Sequence, residues 1–295
     1  MWPYPNRIAH RGGGVLAPEN TIAALNAALG YGYHAAEVDA ALSRDEVPVL
    51  LHDASLERTT DGNGCVCDYT VDELTWFDAG ERFAPEFLGE PIPTLEQALR
   101  ACAHWGIWLN VEIKPVPGFE KQTGAIVART VSRFCVKNGI VGDRLPLLSS
   151  FSVVALEAAR RAAPHLPRGY LVSRVGPKWR RTLEHCGCRS LHCEYHALDE
   201  ATARAVKDAG FGLLCYTVDE PARVRVLDSW GVDAVVVDRI DLISPHVARS
   251  SAALSAHPSI RSIPEPPVGG RSQGSAGVSV PPRSALPAQS GRVLG

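Results

Sequence analysis

Short apolar runs alternate with longer amphipathic stretches along residues 7–238. Runs with strand character fall at Arg7–Arg11, His34–Leu42, Ile107–Lys114, Leu145–Phe151, Gly169–Ser173, Ser190–Tyr195, Gly212–Val218 and Val232–Asp238. Between most of them the apolar spacing is that of a helix, over Thr21–Leu29, Thr94–His104, Lys121–Lys137, Val153–Ala163, Lys178–Cys186, Asp199–Ala209 and Pro221–Trp230. Strand–helix alternation is the pattern of a mostly parallel sheet. Eight strands with intervening helices predict an α/β fold of the (β/α)₈ TIM-barrel type.

A further apolar run, Val47–His52, follows Leu42 after only Ser43-Arg44-Asp45-Glu46. Parallel strands need a crossover of about a dozen residues, so these two runs must form a hairpin. A turn centred near Arg44–Asp45 sets Glu37 opposite His52, and Val47–His52 becomes an extension of strand two rather than a ninth barrel strand. The long connector from Asp53 to Pro93, with turn chemistry at Asp61-Gly62-Asn63-Gly64, reads as a small inserted cap over the barrel mouth.

Composition changes the domain count. The 295 residues would suggest two domains of about 150 each. Residues 251–295, however, hold 7 Pro, 6 Gly and 9 Ser and no aromatic residue. Such a segment cannot bury enough apolar surface to offset its ordering entropy. The expected organisation is one barrel domain over 1–250, its cap at about 53–93, and a disordered tail over 251–295. The net charge is −2, and the tail carries four Arg against one Glu, so the body is about −5. No basic stripe of the kind nucleic-acid binders carry is visible. No apolar run reaches 18 residues and the start lacks a signal-peptide layout, so no stable membrane insertion is expected and a cytoplasmic location is. The eight cysteines lack paired C-x₂-C spacing and read as reduced structural thiols. A metal site at Cys186, Cys188, His192 and Cys193 is the minor alternative. Oligomeric state is not legible.

In such a barrel the chemistry sits where the strands end at their C-terminal rim. There the sequence places His10-Arg11 before Gly12-Gly13-Gly14, then Glu37-Val38-Asp39, Leu51-His52-Asp53 and Glu112-Ile113-Lys114. Asn110, Glu112 and Lys114 share one strand face, and Leu109, Val111 and Ile113 the other. The apolar face packs against helices, which aims the charged face into the barrel. Glu37 and Asp39 likewise share a face. Three inward carboxylates repel one another unless a cation or Lys114 neutralises them, and three oxygen donors suit Mg²⁺ or Ca²⁺. The alternative is a structural ion network pairing Glu37 and Glu112 with Arg11 and Lys114. Two histidines beside such a cluster suit acid–base work near neutral pH, and the Arg11 guanidinium suits a phosphate. Asn20 is a good helix N-cap. Tyr216 is either packing or a wall for substrate.

These motifs stand in a known order. His10-Arg11-Gly12, Ala17-Pro18-Glu19-Asn20-Thr21, Glu37-Val38-Asp39, Leu51-His52-Asp53 with Leu56-Glu57-Arg58-Thr59-Thr60, Pro93-Thr94-Leu95 and Glu112-Ile113-Lys114 resemble the glycerophosphodiester phosphodiesterases. The Trp2-Pro3-Tyr4-Pro5 opening, Leu148-Ser149-Ser150-Phe151, Tyr216-Thr217-Val218 and Gly231-Val232-Asp233 look like the bacterial cytosolic branch. The resemblance runs from about residue 2 to 245. It implies a divalent-cation-dependent hydrolase that cleaves glycerophosphodiesters, such as glycerophosphocholine and glycerophosphoethanolamine, to sn-glycerol 3-phosphate and an alcohol. Carried over by motif, Glu37, Asp39 and Glu112 would hold the cation, His10 and His52 would be the acid–base pair, and Arg11 and Lys114 would hold the phosphate. His10 is taken as base and His52 as acid, with either the glycerol 2-hydroxyl or water attacking. Two positions depart from the family pattern: Asp219 stands where Asn is common, and Asp45-Glu46 where Asp-Gly is usual. A phosphodiesterase acting on longer lipids such as lysophospholipids would instead show an apolar patch on the cap, for which Phe77, Phe83, Phe87 and Leu88 are candidates. A non-catalytic phosphate- or metal-binding barrel would lack an acid or a base.

Overall fold

The computed structural model describes residues 2–245. The tail expected over 251–295, and the end of the barrel domain at 250, lie outside them. Eight parallel strands close into a barrel: β1 (Arg7–Ala9), β2 (Ala35–Leu42), β4 (Trp108–Ile113), β5 (Leu147–Ser150), β6 (Arg168–Val172), β7 (Ser190–Glu194), β8 (Gly212–Tyr216) and β9 (Ala234–Val237). Closure comes from β1, which pairs with β2 on one side and β9 on the other. β3 (Pro48–Leu50) runs antiparallel and hangs from the upper end of β2. Helices α1 (Ile22–Gly30), α3 (Leu95–Trp105), α4 (Glu120–Lys137), α5 (Val153–Ala162), α6 (Trp179–Cys186), α7 (Glu200–Asp208) and α8 (Pro221–Ser229) connect the strands, and the short α2 (Val71–Leu74) lies within the segment after β3. Among the described residues no helix is long and apolar enough to cross a membrane.

Strand alternation divides the core. Outward residues such as Val38, Leu109, Val111, Ile113 and Leu148 pack with Leu25, Leu99, Val127 and Leu156 of the surrounding helices. Inward residues at the N-terminal end, among them Ile8, Ala35, Trp108, Leu147, Leu214 and Val236, fill the lumen with Trp2 and Tyr4. Tyr4 stacks on Trp108 at 4.4 Å, so the Trp2-Pro3-Tyr4-Pro5 opening plugs the bottom of the barrel. The charged inward residues lie above this plug, at the upper rim.

The hairpin register differs by one residue from the sequence expectation. Leu50 pairs with Ala40 and Pro48 with Leu42, which sets Val38 rather than Glu37 in line with His52. The cause is the turn: Glu46 adopts φ 64°, adding a left-handed residue, and Glu46 N–H returns to Ser43 O. Beyond β3, residues 53–93 carry their own small core, in which Leu56, Val66, Leu74 and Ile92 pack with Val49 and Leu51. A capping box at Thr70/Glu73 starts α2, and another at Thr94/Gln97 starts α3. Glu90 Oε1 accepts from Ala23 N–H at 3.0 Å, tying this segment to the first turn of α1.

The cysteines correct one expectation. Cys65 and Cys67 are bridged to each other, while the other six are buried free thiols. Cys186, Cys188, His192 and Cys193 do not form a cluster of metal ligands among the described residues. His192 points into the lumen and bonds Ser190 Oγ at 2.8 Å, whereas Cys193 faces outward into the helix layer.

Candidate active site

The rim gathers the residues expected from sequence. β1 ends at Ala9 because Arg11 turns left-handed, at φ 48°, and this releases His10 over the lumen. Gly12 at φ 91° and Gly14 at φ 57° continue the turn. A Cβ on Gly14 would lie 1.9 Å from Asp238 O, so the triple glycine lets this loop press against the end of β9.

Glu37 and Asp39 come from β2 and Glu112 from β4, in adjacent register, Asp39 beside Glu112. One carboxylate oxygen from each lies within 4.8 Å of the others, and they are the one such group of potential metal ligands among the described residues. Glu37 and Asp39 are 5% and 1% exposed. Burial, then the Asp39 carboxylate, push both Glu37 and Glu112 to titrate well above the usual carboxylate range. Lys114 Nζ reaches Glu112 Oε1 at 3.1 Å but Asp39 only at 3.9 Å. One ammonium therefore does not neutralise the three. Glu37 Oε2 accepts Arg11 N–H at 3.1 Å, and its Oε1 is buried with no hydrogen-bond partner. An acceptor oxygen left bare in a cluster of three carboxylates fits a hard divalent cation.

Both histidines lean on an aspartate. His10 Nδ1 is 2.7 Å from Asp238 Oδ1, and His52 Nδ1 is 2.6 Å from Asp53 Oδ1. Burial lowers the His10 ring's affinity for a proton, but the Asp238 hydrogen bond and the Glu37 carboxylate outweigh it, and the net shift is upward. For His52 burial prevails over Asp39 and Asp53, with Arg11 and Lys114 adding to it, and the net shift is downward. Lys114 Nζ, 3.1 Å from His52 Nε2, donates to the ring's free lone pair.

Arg11 is tied down rather than free: it donates to Glu19 Oε1 at 2.9 Å and stands 3.5 Å from Asp39 Oδ2. His10, Arg11, Glu37, His52, Glu112 and Lys114 line one cavity of about 240 Å³, with Phe151 and Tyr216 on its wall. Those two rings meet edge to face at 6.1 Å, and Tyr216 O–H donates to Val172 O. Tyr216 is thus both packed and part of the wall.

Sequence reasoning missed several residues. Asn20 is not the cap of α1. Thr21 takes that place, accepting Ala24 N–H at 3.0 Å. The Asn20 amide instead exchanges two hydrogen bonds with Asp39, donating to Oδ2 at 2.8 Å and accepting the Asp39 N–H at 2.9 Å. Asp219, flagged as extra negative charge near substrate, is spent on backbone: Oδ1 accepts Asp238 N–H at 2.7 Å and Arg239 N–H at 3.0 Å. It buttresses the loop that carries the partner of His10. The Asp-Arg at the end of β9 carried a usable signal, a carboxylate at a C-terminal strand end.

The chain is similar to several known proteins. A model of the glycerophosphoryl diester phosphodiesterase family matches residues 10–242. A glycerophosphodiester phosphodiesterase of Caldanaerobacter subterraneus subsp. tengcongensis is 32% identical over 237 residues, covering 78% of this chain and 93% of that protein. A putative glycerophosphodiester phosphodiesterase of Bacillus subtilis is 31% identical over 80% of this chain and 95% of its own length. Among solved structures, a phosphodiesterase of Oleispira antarctica in complex with the product sn-glycerol-3-phosphate superposes with a TM-score of 0.74 at 37% identity, covering 79% of this chain and 93% of that one.

Proposed function

The chain belongs to the glycerophosphoryl diester phosphodiesterase family, and on that premise we propose that it cleaves small glycerophosphodiesters, such as glycerophosphocholine and glycerophosphoethanolamine, to sn-glycerol 3-phosphate and an alcohol. The observation that carries this reading is the convergence of two aspartate-backed histidines on a cluster of three carboxylates, two of which line the same cavity as both histidines. The product complex of the Oleispira antarctica relative supports it.

Glu37, Asp39 and Glu112 would hold a divalent cation, Mg²⁺ or Ca²⁺, which when bound neutralises charge on the phosphate oxygens. Arg11 and Lys114 add positive charge around the same phosphate, where the transition state accumulates negative charge. His52, which favours the neutral ring, accepts the proton of the attacking hydroxyl, from the glycerol 2-carbon or from water, at Nε2. Lys114 occupies that lone pair in the resting site, and an anionic substrate competes for the ammonium and frees it. His10, which favours the protonated ring, donates to the departing alkoxide, with Asp238 holding the imidazolium. These roles are the reverse of those expected from the sequence, because burial without a dominant anion lowers His52 while Asp238 and Glu37 raise His10.

The proposal keeps one catalytic barrel over residues 1–250 with its inserted cap, a tail that catalysis does not need, and a cytoplasmic place of action. For a longer-lipid substrate there is one observation: Phe83 and Leu88 of the cap are 43% and 68% exposed. Incubation of purified protein with glycerophosphocholine, glycerophosphoethanolamine and lysophosphatidylcholine separates the readings. Release of glycerol 3-phosphate from the first two is expected. Product from the lysolipid alone would shift the assignment, and no product from any would sink it.

A further inference from the structure

His10 and Arg11 stand in a shared wall. On one side is the 240 Å³ cavity with Phe151 and Tyr216; on the other is a larger cavity of about 420 Å³ between the loop after β1 and the cap. A diester whose phosphorus sits at that wall has two arms to place. The smaller cavity is lined by both histidines, the larger by His10 alone. The smaller cavity also holds Glu37, Glu112 and Lys114, so it takes the phosphate with its glycerol arm, and the other arm, the alcohol, belongs in the larger cavity.

The charges around that cavity cancel, save one. Arg58 is fully engaged, donating to Glu19 at 2.6 Å and to Asp53 at 2.6 Å. Arg11 is shared between Glu19 and Asp39, and Asp238 is taken by His10. Arg82 lines the cavity yet has no hydrogen bond or ion pair among the described residues. Beside it Phe83 is 43% exposed and supplies an apolar wall. One aromatic ring does not make the cage that holds a quaternary ammonium, and the one unpaired guanidinium opposes a cation there. An unpaired guanidinium suits a carboxylate, whose two oxygens match its fork.

We infer that the larger cavity receives the alcohol half of the diester and that Arg82 selects alcohols bearing a carboxylate over those bearing only a cation. This rests on the proposed function and adds the substrate class to it. Phe83 packs the carbon skeleton, and Arg82 meets the acid group away from the reacting phosphorus. Arg82 is therefore a specificity residue, and its contribution appears in KM.

Glycerophosphoserine and glycerophosphoethanolamine form a matched pair, since serine is ethanolamine plus a carboxylate. Steady-state kinetics of the wild-type protein with added Mg²⁺ or Ca²⁺ should give up to about a fivefold higher kcat/KM for the serine diester, the size of one exposed ion pair. Arg82→Ala should bring the ratio of the two kcat/KM values close to one, through a raised KM for glycerophosphoserine. Arg82→Glu should invert it, and Arg82→Lys, which keeps the charge but not the fork, should retain part of it. Equal kcat/KM for the two diesters in the wild type, or a ratio unchanged in Arg82→Ala and Arg82→Glu, would overturn this inference and leave the proposed function standing. No hydrolysis of either diester would overturn the proposed function, and this inference with it.

Discussion

Asp238 Oδ1 lies 2.7 Å from His10 Nδ1, although 228 residues separate the two in the chain. Closure of the barrel makes them neighbours: β9 pairs with β1, and both chains leave the sheet at the same height. The contact fixes which nitrogen of His10 faces the substrate and favours the protonated ring. It gives the first prediction. The alkaline limb of kcat/KM follows the loss of the His10 proton and should lie above the ordinary histidine value of 6.5, while the acid limb follows protonation of His52 and should lie below it. Asp238→Asn removes a contribution that raises His10, so the alkaline limb moves to lower pH and the acid limb stays. Activity at neutral pH should fall on the order of 10–10². A pH–rate profile in which the alkaline limb does not move would remove Asp238 from this role.

The acid and base roles separate on the leaving group. His10→Ala and His52→Ala should each lower kcat by about 10²–10⁴ on an alkyl diester. With a p-nitrophenyl diester of glycerol phosphate, whose leaving group needs no proton, the deficit of His10→Ala should shrink by at least about tenfold. That of His52→Ala should persist. Recovery in His52→Ala instead would restore the opposite assignment.

Glu46 holds a left-handed conformation, φ 64°, at the hairpin turn. An L side chain there costs roughly 1 kcal/mol relative to glycine. Its side chain keeps one exposed bond, accepted from Gln122 Nε2 at 2.8 Å, which offsets little. Glu46→Gly should raise the melting temperature by about 2 °C without changing kcat. A lowered melting temperature would show that the Gln122 contact outweighs the backbone.

Much of this was legible in the chain. Seven connecting helices and eight barrel strands fall within a few residues of their hydrophobic periods, because each strand buries one face against helices and the other in the lumen. The rim charges were legible for the same reason: Glu37, Asp39 and Glu112 occupy inward positions that packing would fill with apolar side chains. What escaped is what depends on tertiary neighbours. Asn20 read as a cap because local preference for Asn and Thr is similar, and only the approach of Asp39 decides between them. The one-residue hairpin shift depends on the backbone at Glu46, and the Asp238–His10 pair depends on closure of the barrel. The Cys65–Cys67 bridge needs the fold of the connector, and the unpaired state of Arg82 needs the positions of Glu19 and Asp53.

The central claim is that Glu37, Asp39 and Glu112 hold a divalent cation on which hydrolysis of a glycerophosphodiester depends. Its most direct test is a titration: protein stripped with EDTA, then Mg²⁺ or Ca²⁺ added while release of sn-glycerol 3-phosphate from glycerophosphoethanolamine is followed, for the wild type and Glu112→Gln. The account predicts no release after stripping, saturable recovery with the cation, and a recovery in Glu112→Gln that needs at least about tenfold more of it. Full turnover in EDTA, or an identical titration in Glu112→Gln, would contradict it.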